Sequence, residues 1–282
     1  MKSDLLALAA VVLWASLATL GVDLSRVPPF LLTGLGLLIG GAMALPLSRF
    51  RLSRWRVPPT TLALGVTGLF GFHFLLFLAL RYAPPVEANL VNYLWPLGMV
   101  VLAPLYLPSV RFRWAYVPAG LLGFAGAAVA ILGHSGGGAF HGGFQIGYLF
   151  AMASAFIWAS YSLLTKRLPH FPTAAVGGFA AIAGLLSLAC HFAFEPPATL
   201  SLHDWALIAL LGLGPLGGAF FLWDAALKSG DPRRIGLLAF LTPLLSTALL
   251  MLSNHQPVNL GLVAASAMIV GAAFWGHRIS AA

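Results

Sequence analysis

The chain has 282 residues, of which 60% are hydrophobic and 8% charged, with one cysteine and a formal net charge of +8. Soluble domains average about 25% charged residues, so a soluble globular protein is excluded, and Cys190 alone excludes a disulfide framework or a thiolate metal site. In so apolar a chain a basic excess reports membrane topology, not nucleic-acid binding.

Ten apolar spans are predicted, at 4–21, 29–47, 60–81, 86–107, 114–133, 145–165, 173–194, 205–227, 234–252 and 258–276. A bilayer crossing needs about 20 apolar residues. The breaks hold Pro28-Pro29, Pro58-Pro59, Pro84-Pro85, the glycine-rich stretch 133–143, Pro169 to Pro172, Pro196-Pro197, Asp231-Pro232 and Pro257. Proline cannot continue a helix from the preceding turn. Lys2 ahead of the first span mimics a secretory signal, but the chain continues in the same apolar style, so the run is read as a first crossing helix. The expected fold is an all-α polytopic membrane protein with ten transmembrane helices. Ten spans place both termini and every even-numbered link on one side. That side holds all of the 15 basic residues except Arg26 and Arg81. Basic residues gather in cytoplasmic loops, so both termini are expected in the cytoplasm. Trp55, Trp114, Trp205 and Trp275 fall near span ends, where interfacial Trp belongs.

Few groups inside the spans can carry chemistry. Trp14 in the first span, and Trp158 with Tyr161 in the sixth, offer aromatic faces. Such faces stack on aromatic ligands, hold an ammonium by cation–π attraction, or simply pack. His73 sits mid-span in the third, one turn before Phe77. An imidazole at that depth is costly. It either meets a substrate carboxylate or a proton, or it is a neutral ring bonded within the bundle.

The fourth span is the most polar, with Asn89, Asn92, Tyr93 and Trp95 ahead of Pro96. Asn89, Tyr93 and Pro96 share a face by their spacing. Lipid gives amides no partner. The two Asn therefore either line a cavity, where they suit an amino acid's ammonium and carboxylate, or bind neighbouring helices together. Asp224 is the one acid well inside a span; it is a proton-coupling or ammonium-binding carboxylate, or the i, i+4 partner of Lys228. Pro96 and Pro243 are expected hinges of the fourth and ninth spans. Gly36/Gly40, Gly214/Gly218 and Gly120/Gly123/Gly126 permit close helix approach, within the chain or in a weak homodimer. Gly133-His134-Ser135-Gly136-Gly137 matches a nucleophile elbow, but that motif needs a strand-to-helix turn. No zinc, Walker or C-x-x-C motif occurs, so neither cofactor nor metal is expected.

Pairing residues at an offset of 147 from Leu64 to Leu105 gives identity at 15 of 42 positions. These include Gly65/Gly212, Gly71/Gly218, Phe74/Phe221, Ala79/Ala226, Pro85/Pro232 and Pro96/Pro243. Leu13-Trp14-Ala15-Ser16 is echoed by Ile157-Trp158-Ala159-Ser160 at 144. The chain therefore reads as two five-helix repeats, 1–140 and 141–282. Five is odd, so the second repeat enters the membrane upside down, the inverted-repeat construction of secondary transporters with a midplane site. Phe240, the counterpart of Tyr93, is the ninth span's candidate at that site.

Two such halves, each with an Ala-Leu pair leading into a proline link (Ala79-Leu80 to Pro85, Ala226-Leu227 to Pro232), resemble the drug/metabolite transporter superfamily in its EamA-type ten-helix exporters. The run Asn92-Tyr93-Leu94-Trp95-Pro96 resembles the signature of the YddG branch, the aromatic amino acid exporters. The resemblance implies efflux of amino acids across a bacterial inner membrane, through a central cavity lined by helices 1, 3, 4, 6, 8 and 9. The expected function is therefore a secondary exporter of aromatic and other apolar amino acids, working by alternating access as a monomer or weak homodimer. Beside it stand a broad drug or metabolite exporter taking organic cations, an intramembrane hydrolase built on Ser135, and a passive channel.

Overall fold

A computed structural model describes residues 2–134, 145–253 and 260–281. All regular structure among them is helical. Ten helices have the length and apolarity to cross a bilayer: α1 Lys2–Asp23, α2 Pro29–Leu47, α3 Pro59–Tyr82, α4 Pro85–Tyr106, α5 Tyr116–Gly133, α6 Ile146–Leu164, α7 Ala175–Phe194, α8 Leu202–Ser229, α9 Pro232–Ser253 and α10 Leu260–Ile279. Their ends lie within about three residues of the expected ones, because proline and capping side chains mark them. Pro29, Pro59, Pro85 and Pro232 open their helices, where a missing N–H costs nothing. Ser201 and Asp204 form a capping box at the start of α8. Large apolar side chains such as Leu105, Phe192, Leu202 and Leu260 point outward, 73–88% exposed, as lipid-facing residues must.

In four of the helices the interruptions recur at the sequence offset. In α3 a π turn occupies Thr67–Gly71, and in α8 a π turn occupies Gly214–Gly218. Helix α4 breaks at Tyr93-Leu94, between Pro85–Asn92 and Trp95–Tyr106. Helix α9 breaks at Phe240, between Pro232–Ala239 and Leu241–Ser253. Pro96 and Pro243 are therefore not the break points. They sit in the first turn of the second segments, where proline needs no donor partner. Helix α1 also breaks, at Ser16, whereas α6 runs unbroken.

Packing partners recur as well. Helix α5 packs on α10, α2 on α7 and α4 on α9, while α3 packs on α6 and α8 on α1. Replacing each helix by the one five places on returns the same set. The glycines make these contacts close within the chain: a Cβ on Gly40 would lie 2.7 Å from the Gly217 Cα. Residues 135–137 of the elbow-like motif lie outside the described residues.

Candidate functional site

Five helices converge on one cluster of aromatic rings. Trp14 of α1 stands at the centre, with ring centroids 5.1 Å from Trp223, 5.8 Å from Trp158, 6.1 Å from Phe220 and 6.4 Å from Trp95. Trp95 lies 5.6 Å from Trp223 and 6.3 Å from Trp158. Trp158 also meets Phe72 and Tyr161, each at 5.3 Å. Most pairs are edge-on or tilted, as ring quadrupoles prefer. All four tryptophans are buried. The walls of this cage come from α1, α3, α4, α6 and α8.

The interruptions in α3 and α8 feed this cluster. A π turn disturbs the regular backbone ladder, and in both helices a carbonyl of that turn is taken by an aromatic ring N–H. The Trp14 indole donates from Nε1 to the Pro215 carbonyl at 3.2 Å. His73 Nδ1 meets the Leu69 carbonyl at 2.6 Å; a carbonyl only accepts, so Nδ1 carries the proton and Nε2 of the neutral ring is left as an acceptor. The His73 ring lies between Phe72, Phe77 and Phe220, at 5.1, 6.2 and 6.4 Å. Phe77 extends this aromatic face to Phe30 at 5.1 Å. The Trp223 indole donates to the Ser162 hydroxyl at 3.1 Å.

Among the described residues, two buried acceptors on α4 and α8, both helices of the cage, have no hydrogen-bond partner: Asn92 Oδ1 and Asp224 Oδ1. Asn92 closes the first segment of α4, one turn before Trp95. Asp224 follows Trp223 directly. Its other oxygen accepts from Thr173 and from the Lys228 ammonium, both at 2.6 Å. Lys228 also donates to the Phe171 carbonyl at 2.9 Å and lies 3.8 Å over the Phe171 ring. A buried acceptor left unpaired costs about 1–3 kcal/mol, so each is a place where a cationic donor gains most.

The two ends of the bundle are tied differently. At the end carrying the N-terminus, Asp4 of α1 pairs with Arg234 of α9. At the opposite end, the Tyr148 hydroxyl of α6 donates to Glu87 of α4. Asp4 and Tyr148 are counterparts at offset 144, and Glu87 and Arg234 at 147, so one helix contact is made twice with different chemistry. The opposite end also holds Arg26 on both oxygens of Asp204, at 2.6 and 2.7 Å. There Glu195 caps α2 through the N–H groups of Phe30 and Leu31.

Of the residues expected at a site, Trp14, Trp95, Trp158, Tyr161, His73 and Phe77 meet in the aromatic cluster, and Asn92 and Asp224 lie on two of its helices, three residues before Trp95 and directly after Trp223. Asn89 and Tyr93 are half-buried on α4 at and before its break. Phe240 is not brought to the cage. It is fully buried in a separate cluster with Tyr116, Leu237 and Ile269, with its ring in the gap left by Gly123. Trp223, Phe220 and Phe72 were not singled out from sequence. The aromatic triplet Phe220-Phe221-Trp223 beside the lone intramembrane acid was the available signal. Among the described residues no cluster of His, Cys, Asp and Glu could hold a metal.

Comparison with known proteins identifies the family of the chain. The model of the EamA-like transporter family matches residues 1–132 and 145–275. The chain is 42% identical over 275 residues, 96% of each chain, to a protein of Ancylobacter novellus named aromatic amino acid exporter YddG. It is 26% identical over 291 residues to the protein of the same name from Salmonella typhimurium, covering 95% of this chain and 94% of that one. A solved structure at 40% identity superposes with a TM-score of 0.92, covering 99% of this chain and 97% of the other.

Proposed function

The chain belongs to the EamA-like transporter family, and from that premise we propose that it exports aromatic amino acids as a secondary transporter. The protein is a multi-pass membrane protein, and the proposal places it in a bacterial inner membrane with both termini in the cytoplasm. Support for that orientation is the concentration of basic residues at the N-terminal end of the bundle. The two halves, 1–140 and 141–282, act as inverted repeats that rock about the shared site. Recurrence of the helix breaks and packing partners supports this reading, as does the family match in two segments.

The observation that carries the substrate class is the cage of Trp14, Trp95, Trp158 and Trp223. Four indoles and the Phe220 ring form a wall for an aromatic side chain, with each ring pair worth about 0.5–1.5 kcal/mol beyond burial. The rings touch one another, so admission of substrate requires the walls to part, as alternating access provides. Asn92 Oδ1 and Asp224 Oδ1 then receive the substrate ammonium, and His73 orients the carboxylate or faces the ring. The chain makes its close glycine contacts internally, so one copy suffices for this cycle.

The test is efflux from proteoliposomes loaded with labelled tryptophan, phenylalanine or alanine. Export is expected to favour the aromatic substrates, to saturate, and to show counterflow. Flux without saturation would make the protein a channel. Efflux of an organic cation such as tetraphenylphosphonium without amino acid movement would instead favour the broad exporter.

A further inference from the structure

Three separate links meet around a recess of about 520 Å³ at the end of the bundle that carries the N-terminus. Its wall consists of Ser109, Arg111 and Arg113 from the α4–α5 link, Lys166 beyond α6, and residues 228–233 joining α8 to α9. Five side chains there are cationic, Arg111, Arg113, Lys166, Lys228 and Arg233, against one acid, Asp231. A topology signal requires only that basic residues lie in these links, not that they converge on one hollow. The volume lies within the range of about 300–1,000 Å³ usual for small-molecule sites.

Hydrogen bonding separates the cations already engaged from those with donors to spare. Lys228 is fully committed to Asp224, Thr173 and the Phe171 carbonyl. Arg233 holds both oxygens of Asp231, at 3.1 and 2.7 Å, and the Arg111 carbonyl at 3.0 Å. That pairing neutralises the one acid; although burial pushes the Asp231 carboxyl upward, the bonds and charge of Arg233 hold it below its usual range. Arg113 spends one nitrogen on the Ile279 carbonyl at 2.7 Å. Lys166 donates to the Gly230 carbonyl, and desolvation lowers its ammonium from its ordinary range, so an anion beside it would offset that burial cost. The Arg111 guanidinium makes no hydrogen bond among the described residues and is exposed.

We propose that this recess is a binding site for a phosphate ester, with Arg111, Arg113 and Lys166 as its principal ligands. With Arg233 paired to Asp231 and Lys228 to Asp224, three cations of the lining, Arg111, Arg113 and Lys166, stay uncompensated. A phosphate group offers at least two charged acceptor oxygens, suits guanidinium geometry, and lets Lys166 act as a point charge. Two sources share that chemistry: the headgroup of an anionic phospholipid, drawn by the basic membrane face, or a soluble phosphate ester. The site is separate from the aromatic cage and stands whether or not the export reading holds.

The experiment measures binding to the purified full chain in detergent by thermal shift and thermophoresis. The probes are dihexanoyl phosphatidylglycerol, glycerol 3-phosphate, inorganic phosphate, dihexanoyl phosphatidylcholine and acetate. Phosphatidylglycerol or glycerol 3-phosphate is expected to bind saturably and at least tenfold more weakly to Arg111→Gln/Lys166→Gln, with Arg111→Lys in a Lys166 background partly retaining affinity. The unliganded melting temperature of each variant verifies its fold, since both side chains are exposed. Preference for the lipid assigns the headgroup as the source, and equal binding of glycerol 3-phosphate assigns a soluble ester; either supports the proposal. Equal response of wild type and double variant, equal binding of phosphatidylcholine or acetate, or no response to any phosphate overturns it.

Discussion

Replacing Asn92 by leucine distinguishes a recognition group from a structural amide. The side chain is 5% exposed and its Oδ1 has no partner among the described residues. An unpaired buried acceptor costs about 1–3 kcal/mol, and replacing it by an apolar group of similar shape recovers much of that. Leucine shares asparagine's branching but is bulkier, so overpacking offsets part of the gain. Asn92→Leu is therefore expected to stabilise the empty protein by no more than about 1 kcal/mol, which for a chain of this size raises the melting temperature by roughly 2–4 °C per kcal/mol. Transport should change in the opposite sense. Loss of one charge-assisted hydrogen bond, worth about 1.5–3 kcal/mol, should weaken tryptophan export by tenfold or more. The assays are thermal melting of the detergent-purified variant and flux in proteoliposomes. A variant that melts lower than wild type while transporting normally would show that Asn92 binds helices together, and the reasoning would be refuted.

Trp14→Phe keeps a ring in the cage but strands the Pro215 carbonyl; the expected cost is about 1–3 kcal/mol in melting free energy, with tryptophan affinity lower by roughly two- to tenfold from weakened ring contact. Gly217→Val should prevent assembly, because its Cβ would lie 2.6 Å from the Gly40 Cα; size-exclusion chromatography would show loss of monodisperse protein. A double-mutant cycle of Asp4→Asn and Arg234→Gln should return a coupling of about 1 kcal/mol for this partly buried pair, and zero coupling would remove the tether. Phe50 holds φ at 58° on the surface, a conformation costing roughly 1–2 kcal/mol for an L residue. Phe50→Gly should therefore melt no lower than wild type, even after the entropy lost with glycine.

Helix number and ends were readable because a bilayer demands long apolar runs and proline punctuates them. Trp14 and Trp158 were legible because the repeat placed both at equivalent positions. Trp223 and Phe220 escaped notice because their repeat counterparts, Leu76 and His73, differ in kind, so the echo gave no pointer to them. Phe240 was expected at the site through its pairing with Tyr93, yet Gly123 leaves a ring-sized gap beside it, and filling that gap wins. The hinges were expected at Pro96 and Pro243. Each break instead falls a few residues earlier, because a proline is best accommodated just inside a new helical segment. The π turns have no sequence signature beyond the paired glycines around them; in spans that are apolar on nearly every side, the phase shift from an extra residue leaves no visible break in the hydrophobic pattern.

Each π turn in α3 and α8 stores one surplus residue. An α-helix advances about 100° per residue, so the segments on either side of the surplus are out of phase by about that angle. Were the surplus to migrate one turn along its helix, the residues it passed would rotate by about 100° while both ends stayed in place. Leu69 and Pro215, whose carbonyls now hold His73 and Trp14, would exchange their facing with neighbours. The helices would then present a different set of side chains to the centre of the membrane without any end-to-end movement, a change of register that could accompany the rocking of the two halves.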